Sequence, residues 1–364
     1  MSENTRGGKN GKIELLRFIF AVIIVIHHFR VVVGDRNSPF LGGSLAVEFF
    51  FILSGYLMMV SLERLSAKPV DGNLGSETVS FLFKKAKAVY PEMVITYFLG
   101  IAVYAFARSY SLKAAGKLFA NSVWELLFLQ RTGLGVSSVN GVTWYIGAML
   151  LCMAVMYPIL RRYPNMGSRV VIPLLSLLAL GWLCQNYTNP RGPGLWVGLT
   201  FKGNIRAFGE LGLGVICYQL TAKLKKLQLA PFGKAVLTAL EPVLYIGIIA
   251  YMYFEKATNL DYFFILLLVI ALCITFSDQP FFCQQFNSGF FLFLGRFSVP
   301  LFFGHVFWAY NVNCLLPADA TNAVKMAWYL SLAAVTAVVV YGLTAGIRRG
   351  RVADKIRRVF VAQG

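Results

Sequence analysis

Long apolar runs separated by shorter polar segments make up most of the chain. About 20 consecutive apolar residues are enough for a helix to cross the hydrocarbon layer of a bilayer. Each run therefore predicts one transmembrane helix, and the chain contains ten such runs. Their approximate bounds are 13–33, 42–62, 91–107, 142–160, 170–186, 204–220, 235–254, 262–276, 289–310 and 323–347. The pattern predicts an all-α fold, a polytopic membrane bundle of about ten transmembrane helices.

Two of the segments between these helices are long. Residues 63–90 contain Pro, Gly, Asn and Ser and end in a basic patch, which predicts a polar loop. The basic patch consists of Lys84, Lys85 and Lys87. Residues 108–141 are polar with a moderately apolar middle, which predicts an interfacial helix or a re-entrant segment. We expect one membrane domain over residues 1–364, with its helices at about 13–347 and a basic cytoplasmic tail at 348–364.

The composition supports a membrane protein. Hydrophobic residues make up 57% of the chain and charged residues 14%, whereas a soluble domain has roughly 25% charged residues. The formal net charge of +18 is compatible with nucleic acid or an anionic surface as a partner. The basic residues, however, fall in short clusters between the apolar runs, and no basic segment interleaved with aromatic residues indicates nucleic-acid binding. We expect an integral membrane protein whose partners include the lipid bilayer and no nucleic acid.

The distribution of Lys and Arg predicts the orientation of the bundle. Ten crossings place both termini on one side. The termini and alternate loops collect 21 Lys and Arg residues, whereas the other side, together with the helix ends next to it, has ten, and three lie deeper inside helices. Because positive residues accumulate in cytoplasmic loops, both termini are predicted to be cytoplasmic. The first run is too long and too charged for the core of a signal peptide, so we expect it to remain as a helix.

The sequence shows no pattern of a metal site or of a common soluble enzyme. The six cysteines are scattered singly, without metal-ligand or redox spacing, and are interpreted as packing thiols. A phosphate loop, a dinucleotide fingerprint and a zinc motif are also missing from the sequence. We therefore expect no bound metal.

Ionisable residues inside the first apolar run indicate a function beyond anchoring. Each such group adds roughly 2.5 kcal/mol or more to the free energy of membrane insertion. Arg17 and His28 are eleven positions apart, close to three helical turns, so their side chains share one helix face about 16 Å apart. His27 points about 100° away from His28 and is interpreted as a structural residue.

Estimated depths bring three ionisable residues to one level. At about 1.5 Å per residue, Arg17 lies about 6 Å inside the cytoplasmic end of its helix, and Arg296 is similarly shallow in the ninth helix. His28, Glu48 and His305 all come out about 22 Å from that end. A carboxylate and two imidazoles at one depth fit a proton-transfer set, and they also fit a polar network that packs helices. Spacing alone leaves both interpretations open.

Two further features also have competing interpretations. The basic patch is either a positive-inside anchor or a phosphate-binding patch at a cytoplasmic mouth. Ser54 and Gly55 lack the flanking glycines and the strand–turn–helix context of a hydrolase nucleophile, which favours close helix packing.

Four stretches, in order and in spacing, resemble motifs of the acyltransferase-3 family of integral membrane acyltransferases, and the likeness extends over essentially the whole chain. They are LLRFIFAVIIVIHHF with Arg17 and His28, GGSLAVEFFFILSGYLM with Glu48, FKKAKAVYP with Lys84 and Lys85, and GRFSVPLFFGH with Ser298 and His305. Some positions depart from the family pattern. Glu48 stands where Asp is more usual, Lys85 and Ala88 stand where arginines are common, and Phe302 and Phe303 replace Tyr-Leu.

The resemblance implies an O-acyltransferase, usually an O-acetyltransferase. Its donor is acyl-coenzyme A, usually acetyl-coenzyme A, and its acceptor is a hydroxyl on a carbohydrate or lipid-linked sugar of the cell envelope. Together with the estimated depths, it makes His28, Glu48 and His305 the candidate catalytic residues, with His28 as general base or acyl carrier. The cations near the cytoplasmic end are candidates to bind the donor: Arg17, Lys84, Lys85 and Arg296.

The resemblance also bears on form and location. Because no hydrolase-like domain follows the tenth helix, we expect the stand-alone form of the family, in the bacterial cytoplasmic membrane. A proton-coupled secondary transporter or flippase is the alternative, since buried His, Glu and Arg residues also form proton relays. The sequence shows no interrupted helices in matching halves and no clear inverted repeat, which favours the enzyme.

Overall fold

The computed structural model describes residues 10–34, 38–66, 73–135, 138–256, 258–282 and 285–361. Within these ranges the chain forms fourteen α-helices and one short antiparallel ribbon. The helices are α1 Gly11–His28, α2 Arg30–Val33, α3 Ala46–Glu63, α4 Leu74–Ala107, α5 Leu112–Ser122, α6 Trp144–Arg162, α7 Pro164–Met166, α8 Ile172–Asn186, α9 Lys202–Lys226, α10 Pro231–Phe254, α11 Leu260–Phe276, α12 Gly289–Gly304, α13 Val306–Asn311 and α14 Asn322–Val361. The ribbon pairs β1 Trp196–Val197 with β2 Thr200–Phe201.

Eight helical segments of the described chain are long and apolar enough to cross a membrane. They are Gly11–Val33, Gly43–Glu63, Leu74–Ala107, Gly141–Arg162, Pro164–Asn186, Pro231–Phe254, Gly289–Cys314 and Asn322–Gly350. Helices α9 and α11 occupy the other two positions at which the sequence predicts a crossing. Helix α9 carries charged residues in its first half, and α11 has 17 residues. The prediction of an all-α polytopic bundle is confirmed.

Helix α9 packs against α3, α6, α8 and α11. Glycines bring α9 and α3 into backbone contact. A Cβ on Gly55 would lie 2.0 Å from the Leu211 carbonyl oxygen, and one on Gly214 would lie 2.2 Å from that of Ile52. Because only glycine fits at such distances, these residues set the separation of the two helices. The interpretation of Gly55 as a helix-packing residue is confirmed.

Helix α1 runs alongside α12. A Cβ on Gly295 would lie 1.8 Å from Glu14 Oε2, so the missing side chain on α12 makes room for this carboxylate. The same carboxylate pairs with Arg17, one turn further along α1. This packing places the last residue of α1, His28, beside the end of α12, which is followed by His305.

Helix α4 begins earlier than predicted, at Leu74, so the polar loop expected up to residue 90 is wrong. The side chain of Asn73 caps the helix by accepting a hydrogen bond from a backbone N–H of its first turn. The additional turns pack against α6, where Glu77 Oε1 lies 2.8 Å from Arg161 Nε. The three lysines of the basic patch therefore lie on a helix.

The structure also shows the long segment between the third and fourth predicted helices and the basic tail. Residues 108–141 contain α5 and a 3₁₀ turn at Val123–Glu125, and their described part holds no crossing helix. The expected basic tail continues α14 as a helix to Val361. Residues 362–364 of that tail lie outside the described residues.

The cysteines divide by burial. Cys152, Cys217 and Cys273 are buried, and Cys184 and Cys314 are exposed. The Sγ atoms of Cys217 on α9 and Cys273 on α11 are 3.4 Å apart, so these thiols pack at the contact of the two helices. The sixth, Cys283, lies outside the described residues.

Candidate active site

The structure brings His28 and His305 together although 277 positions separate them. His28 is the last residue of α1, and His305 lies between α12 and α13. His28 Nδ1 and His305 Nε2 are 3.2 Å apart, and the ring centroids are 4.9 Å apart. His305 is fully buried and His28 is partly buried. The two imidazoles form a hydrogen-bonded pair.

Backbone carbonyls assign the tautomers of this pair. His305 Nδ1 lies 3.2 Å from the Leu301 carbonyl oxygen, so Nδ1 carries the proton and Nε2 is an acceptor. His28 Nδ1 lies 2.8 Å from the Ile24 carbonyl oxygen and donates its proton to that oxygen and to His305 Nε2. The lone pair of a neutral His28 is then on Nε2. That nitrogen can accept a proton or carry an acyl group.

Both histidines lie where the hydrogen bonding of a helix is interrupted. Tyr329 donates its hydroxyl to the Val25 carbonyl oxygen over 2.8 Å, and Asn140 Nδ2 donates to the Phe303 carbonyl oxygen over 2.6 Å. In a continuous helix these carbonyls would accept from the backbone four residues further on. The predicted helix over 289–310 is therefore two helices, α12 and α13, separated at the second histidine.

A buried carboxylate holds Asn140 in place. Glu125 is fully buried and accepts four hydrogen bonds. The donors are Ser138 Oγ at 2.9 Å, Val139 N at 2.8 Å, Asn140 N at 3.1 Å and Thr143 Oγ1 at 2.7 Å. Burial raises the pKa of Glu125 to about 7, and these donors counteract the increase. Glu125 thus fixes the turn before α6, and through Asn140 it fixes the chain at His305.

A cavity of about 340 Å³ lies among α1, α3, α4, α6 and α12. Arg17 and Lys85 line it, together with apolar side chains and the hydroxyls of Ser54, Tyr145 and Ser298. Phe302 also lines it, and the ring centroid of Phe302 lies 6.2 Å from that of His305. The volume is within the usual range of small-molecule sites. One aromatic side chain therefore contacts both the cavity and the histidine pair.

The four candidate donor-binding cations divide into two groups. Arg17 lines the cavity with 28% of its side chain exposed, and its Nη1 lies 2.9 Å from Glu14 Oε2. Lys85 lines it from α4. Lys84 and Arg296 are exposed and are not among the lining residues. Consecutive residues of a helix point about 100° apart, so Lys84 and Lys85 face different directions.

Glu48 lies in a different polar cluster. It is fully buried, and its carboxylate forms an ion pair with Arg206 on α9, with Nε–Oε2 at 2.9 Å. Arg206 Nε also lies 3.1 Å from Glu210 Oε1. The estimated depths placed Glu48 level with His28 and His305, but in the described part of the chain the Glu48 carboxylate pairs with a guanidinium. Glu48, His28 and His305 are not among the residues that line the cavity of Arg17.

His27 takes part in the packing of the turn before α3. Its Nδ1 lies 2.7 Å from the Phe40 carbonyl oxygen, and a Cβ on Gly43 would lie 2.7 Å from His27 Cβ. The ring is buried, and as the neighbour of His28 on a helix it points about 100° away from that residue.

Comparison with known proteins identifies the family. A family model described as an acyltransferase domain, that of the acyltransferase-3 family, matches residues 10–345. The chain belongs to the acyltransferase-3 family. No curated protein and no solved structure matches the chain. Family membership, together with the eight apolar crossing segments, makes the protein an integral membrane acyltransferase.

The sequence analysis did not identify several polar residues that the structure places in buried contacts of this acyltransferase-3 chain. Arg206 and Glu210 stand four positions apart in a predicted crossing, a spacing that places both on one helix face and could have indicated an ion pair. Asn140 and Glu125 lie in a polar stretch without periodicity. Only the fold shows that these two residues support the backbone at His305.

Proposed function

We propose that this acyltransferase moves an acetyl group from cytoplasmic acetyl-coenzyme A to a hydroxyl of a carbohydrate or lipid-linked sugar of the cell envelope, in a bacterial cytoplasmic membrane. The observation that carries the proposal is the His28–His305 pair beside a cavity lined by Arg17 and Lys85. A guanidinium and an ammonium group suit the phosphates of coenzyme A. A neutral imidazole suits the removal of a proton from a hydroxyl.

The orientation of the bundle supports this assignment of donor and acceptor sides. With both termini in the cytoplasm, as the excess of Lys and Arg predicts, Arg17 lies toward the cytoplasmic end of α1 and His28 toward the outer end. The donor then enters from the cytoplasm. An acceptor at the outer face reaches His28 from the opposite side.

In this proposal His28 is the general base. Its Nε2 removes the proton of the acceptor hydroxyl while the hydroxyl oxygen attacks the thioester carbonyl carbon. The carbon–sulfur bond then breaks, and the departing thiolate takes the proton from His28 Nε2. His305 accepts a hydrogen bond from His28 Nδ1–H, which orients the base and stabilises its protonated form.

The same nitrogen can also act as a nucleophile. His28 Nε2 would then form a bond to the acyl carbon and the thiolate would leave. The acceptor oxygen would displace the imidazole, and its hydroxyl proton would pass to the thiolate. Rapid quenching of the enzyme with labelled acetyl-coenzyme A and no acceptor separates the two routes. Label bound to the protein, and absent from His28→Gln, indicates the acyl carrier.

Consumption of the donor tests the proposed function. Inverted membrane vesicles that contain the protein and the natural envelope lipids are supplied with labelled acetyl-coenzyme A. We expect free coenzyme A to be released and label to enter the envelope fraction, and both signals to be lost in His28→Ala vesicles. A transporter or flippase consumes no acetyl-coenzyme A, so vesicles that release no coenzyme A would contradict the proposal.

A further inference from the structure

A second cavity, of about 570 Å³, lies where the π-helical turn before α8 and the first turn of α8 meet the last turns of α9. Three basic side chains line it: Arg169, Lys223 and Lys226. Ser168 and Gln219 lie beside them and are joined by a hydrogen bond of 2.9 Å from Gln219 Nε2 to Ser168 Oγ. The other lining residues are Pro173, Ile216, Leu220 and Ala222. The described lining contains three cations and no acidic residue.

The cavity is polar at one end and apolar at the other. Ile216, Leu220 and Lys223 follow one face of α9, and the seven residue steps from Ile216 to Lys223 span about 10 Å. Arg169 lies in the π-helical turn Gly167–Val171 just before α8, and Pro173, four residues later, lies in the first turn of α8. The basic groups are therefore at the helix ends, and the apolar wall continues toward the middle of the membrane.

The three cations are not balanced by nearby carboxylates. No ion pair involves Arg169, Lys223 or Lys226 in the part of the chain that the structure describes, whereas Lys225 in the same turn pairs with Asp278 over 2.8 Å. Cations around one cavity repel each other, and a bound anion removes that repulsion. The cavity lined by Arg17 and Lys85 is formed by other helices, so a coenzyme A molecule bound there does not supply this anion.

We propose that this cavity binds the phosphate headgroup of an anionic phospholipid. Arg169, Lys223 and Lys226 contact the phosphate, and an acyl chain lies along Ile216 and Leu220. A lipid can contact both the basic end and the adjoining apolar wall, whereas a free phosphate ion can contact only the basic end. Basic pockets between transmembrane helices on the cytoplasmic side have the charge that such headgroups require. The inference depends on the membrane location alone and is independent of the acyl-transfer reaction.

Lipid binding by the purified protein tests the proposal. The delipidated protein is titrated with phosphatidylglycerol or with phosphatidylcholine of identical chains, and bound lipid is counted by native mass spectrometry. We expect the wild type to bind phosphatidylglycerol about tenfold or more tightly than phosphatidylcholine. The variant R169Q/K223Q/K226Q should lose this preference.

The matched control is R162Q/K225Q/K234Q, which removes the same charge from the same end of the bundle but changes no lining residue. It should keep the preference for phosphatidylglycerol. If the triple cavity variant does not fold, R169Q alone should weaken phosphatidylglycerol binding about fivefold.

Three outcomes would overturn the proposal. The wild type could bind both lipids equally, or the control could lose as much affinity as the cavity variant, which would reduce the effect to general surface charge. Displacement of phosphatidylglycerol by inorganic phosphate or coenzyme A would assign the cavity to a soluble phosphate. Because no acyl transfer is measured, failure here leaves the proposed function untouched.

Discussion

At the scale of single residues, the proposed chemistry depends on Nε2 of His28. Two neighbours fix the other ring nitrogen: the Ile24 carbonyl oxygen at 2.8 Å and His305 Nε2 at 3.2 Å. Both accept a hydrogen bond from Nδ1–H, so the surroundings favour the tautomer with a basic Nε2. A general base needs this preset tautomer, because a ring that must first exchange its protons loses catalytic efficiency.

Replacement of His28 tests this assignment. His28→Ala should lower kcat by about 10²- to 10⁴-fold, the usual contribution of general acid–base catalysis, while the protein still inserts. His27→Ala is the matched control in the adjacent position and should retain part of the activity. His305→Ala should lose less than His28→Ala, since His28 keeps its bond to Ile24. Turnover of the three variants is measured in the same vesicles. An active His28→Ala enzyme would refute the mechanism.

The cations of the cavity should affect donor binding. Arg17→Ala should raise the KM for acetyl-coenzyme A about tenfold, since a hydrogen bond to a charged group is lost. Lys85→Ala should have a smaller effect that decreases with salt, because an ammonium acts as a point charge. Lys84→Ala is the control from the same helix turn and should leave KM unchanged. If Lys84→Ala and Lys85→Ala had equal effects, the lysines would act as a general anchor.

At the scale of secondary-structure elements, the interruption between α12 and α13 is the feature that sets the site. It depends on Asn140, whose side-chain Nδ2 donates a hydrogen bond to the Phe303 carbonyl oxygen. It also depends on Glu125, which accepts hydrogen bonds from the turn that carries Asn140. None of these residues touches the proposed reacting atoms. They are positioning residues, and their removal should change both stability and turnover.

Loss of the Asn140 side chain should move His305. Asn140→Ala leaves the buried Phe303 carbonyl oxygen without its donor, which costs about 1–3 kcal/mol of stability. We expect a lower Tm together with a lower kcat at an unchanged donor KM. The control is Asn186→Ala at the exposed end of α8. It removes a hydrogen bond from the Asn186 side chain to the Trp182 carbonyl oxygen and should change neither Tm nor kcat. An unchanged kcat in Asn140→Ala would mean that His305 does not depend on this contact.

Glu125 should make stability depend on pH. Its pKa in the folded protein is raised from 4.5 to about 7, so the folded protein holds this proton more tightly than the unfolded chain does. The resulting stabilisation is complete below about pH 4.5 and is lost as the pH rises to about 7. The Tm of Glu125→Gln should fall less over this range than that of the wild type. Parallel Tm profiles of the two proteins would contradict the raised pKa.

The contact of α3 with α9 depends on a buried cluster of one guanidinium and two carboxylates. Arg206→Met should destabilise the protein by about 3–5 kcal/mol, because it leaves buried carboxylates without their counterion. Glu210→Gln should be far milder, since the cluster has one carboxylate more than its cation can balance. Thermal unfolding in detergent measures both. A larger loss of stability in Glu210→Gln than in Arg206→Met would show that the cluster does not carry an excess carboxylate.

At the scale of the whole molecule, the excess of Lys and Arg predicts that both termini are cytoplasmic. In a background with the exposed Cys184 and Cys314 replaced by serine, Lys113→Cys and Lys256→Cys should react with a membrane-impermeant maleimide in intact cells. Arg162→Cys should react only in inverted vesicles. Labelling of Lys113→Cys from the cytoplasm alone would invert the orientation and with it the donor side.

The sequence by itself determined the class of fold and part of the site. Apolar run length sets where a helix can cross a membrane, so the crossings followed from local pattern. Helical periodicity placed Arg17 and His28 on one face, and the first of these residues lines the cavity while the second meets His305. These properties depend on residues a few turns apart.

Only the tertiary structure decided which polar groups meet. Glu48 is held by Arg206, His28 by His305 and the Phe303 carbonyl by Asn140, and each of these contacts joins residues at least 158 positions apart. Such pairs depend on how helices pack, and depth along one helix says nothing about which face its neighbour presents. The early start of α4 combines the local cap of Asn73 with packing against α6. The interruption at His305 comes from contacts with residues distant in the chain, which the local sequence does not contain.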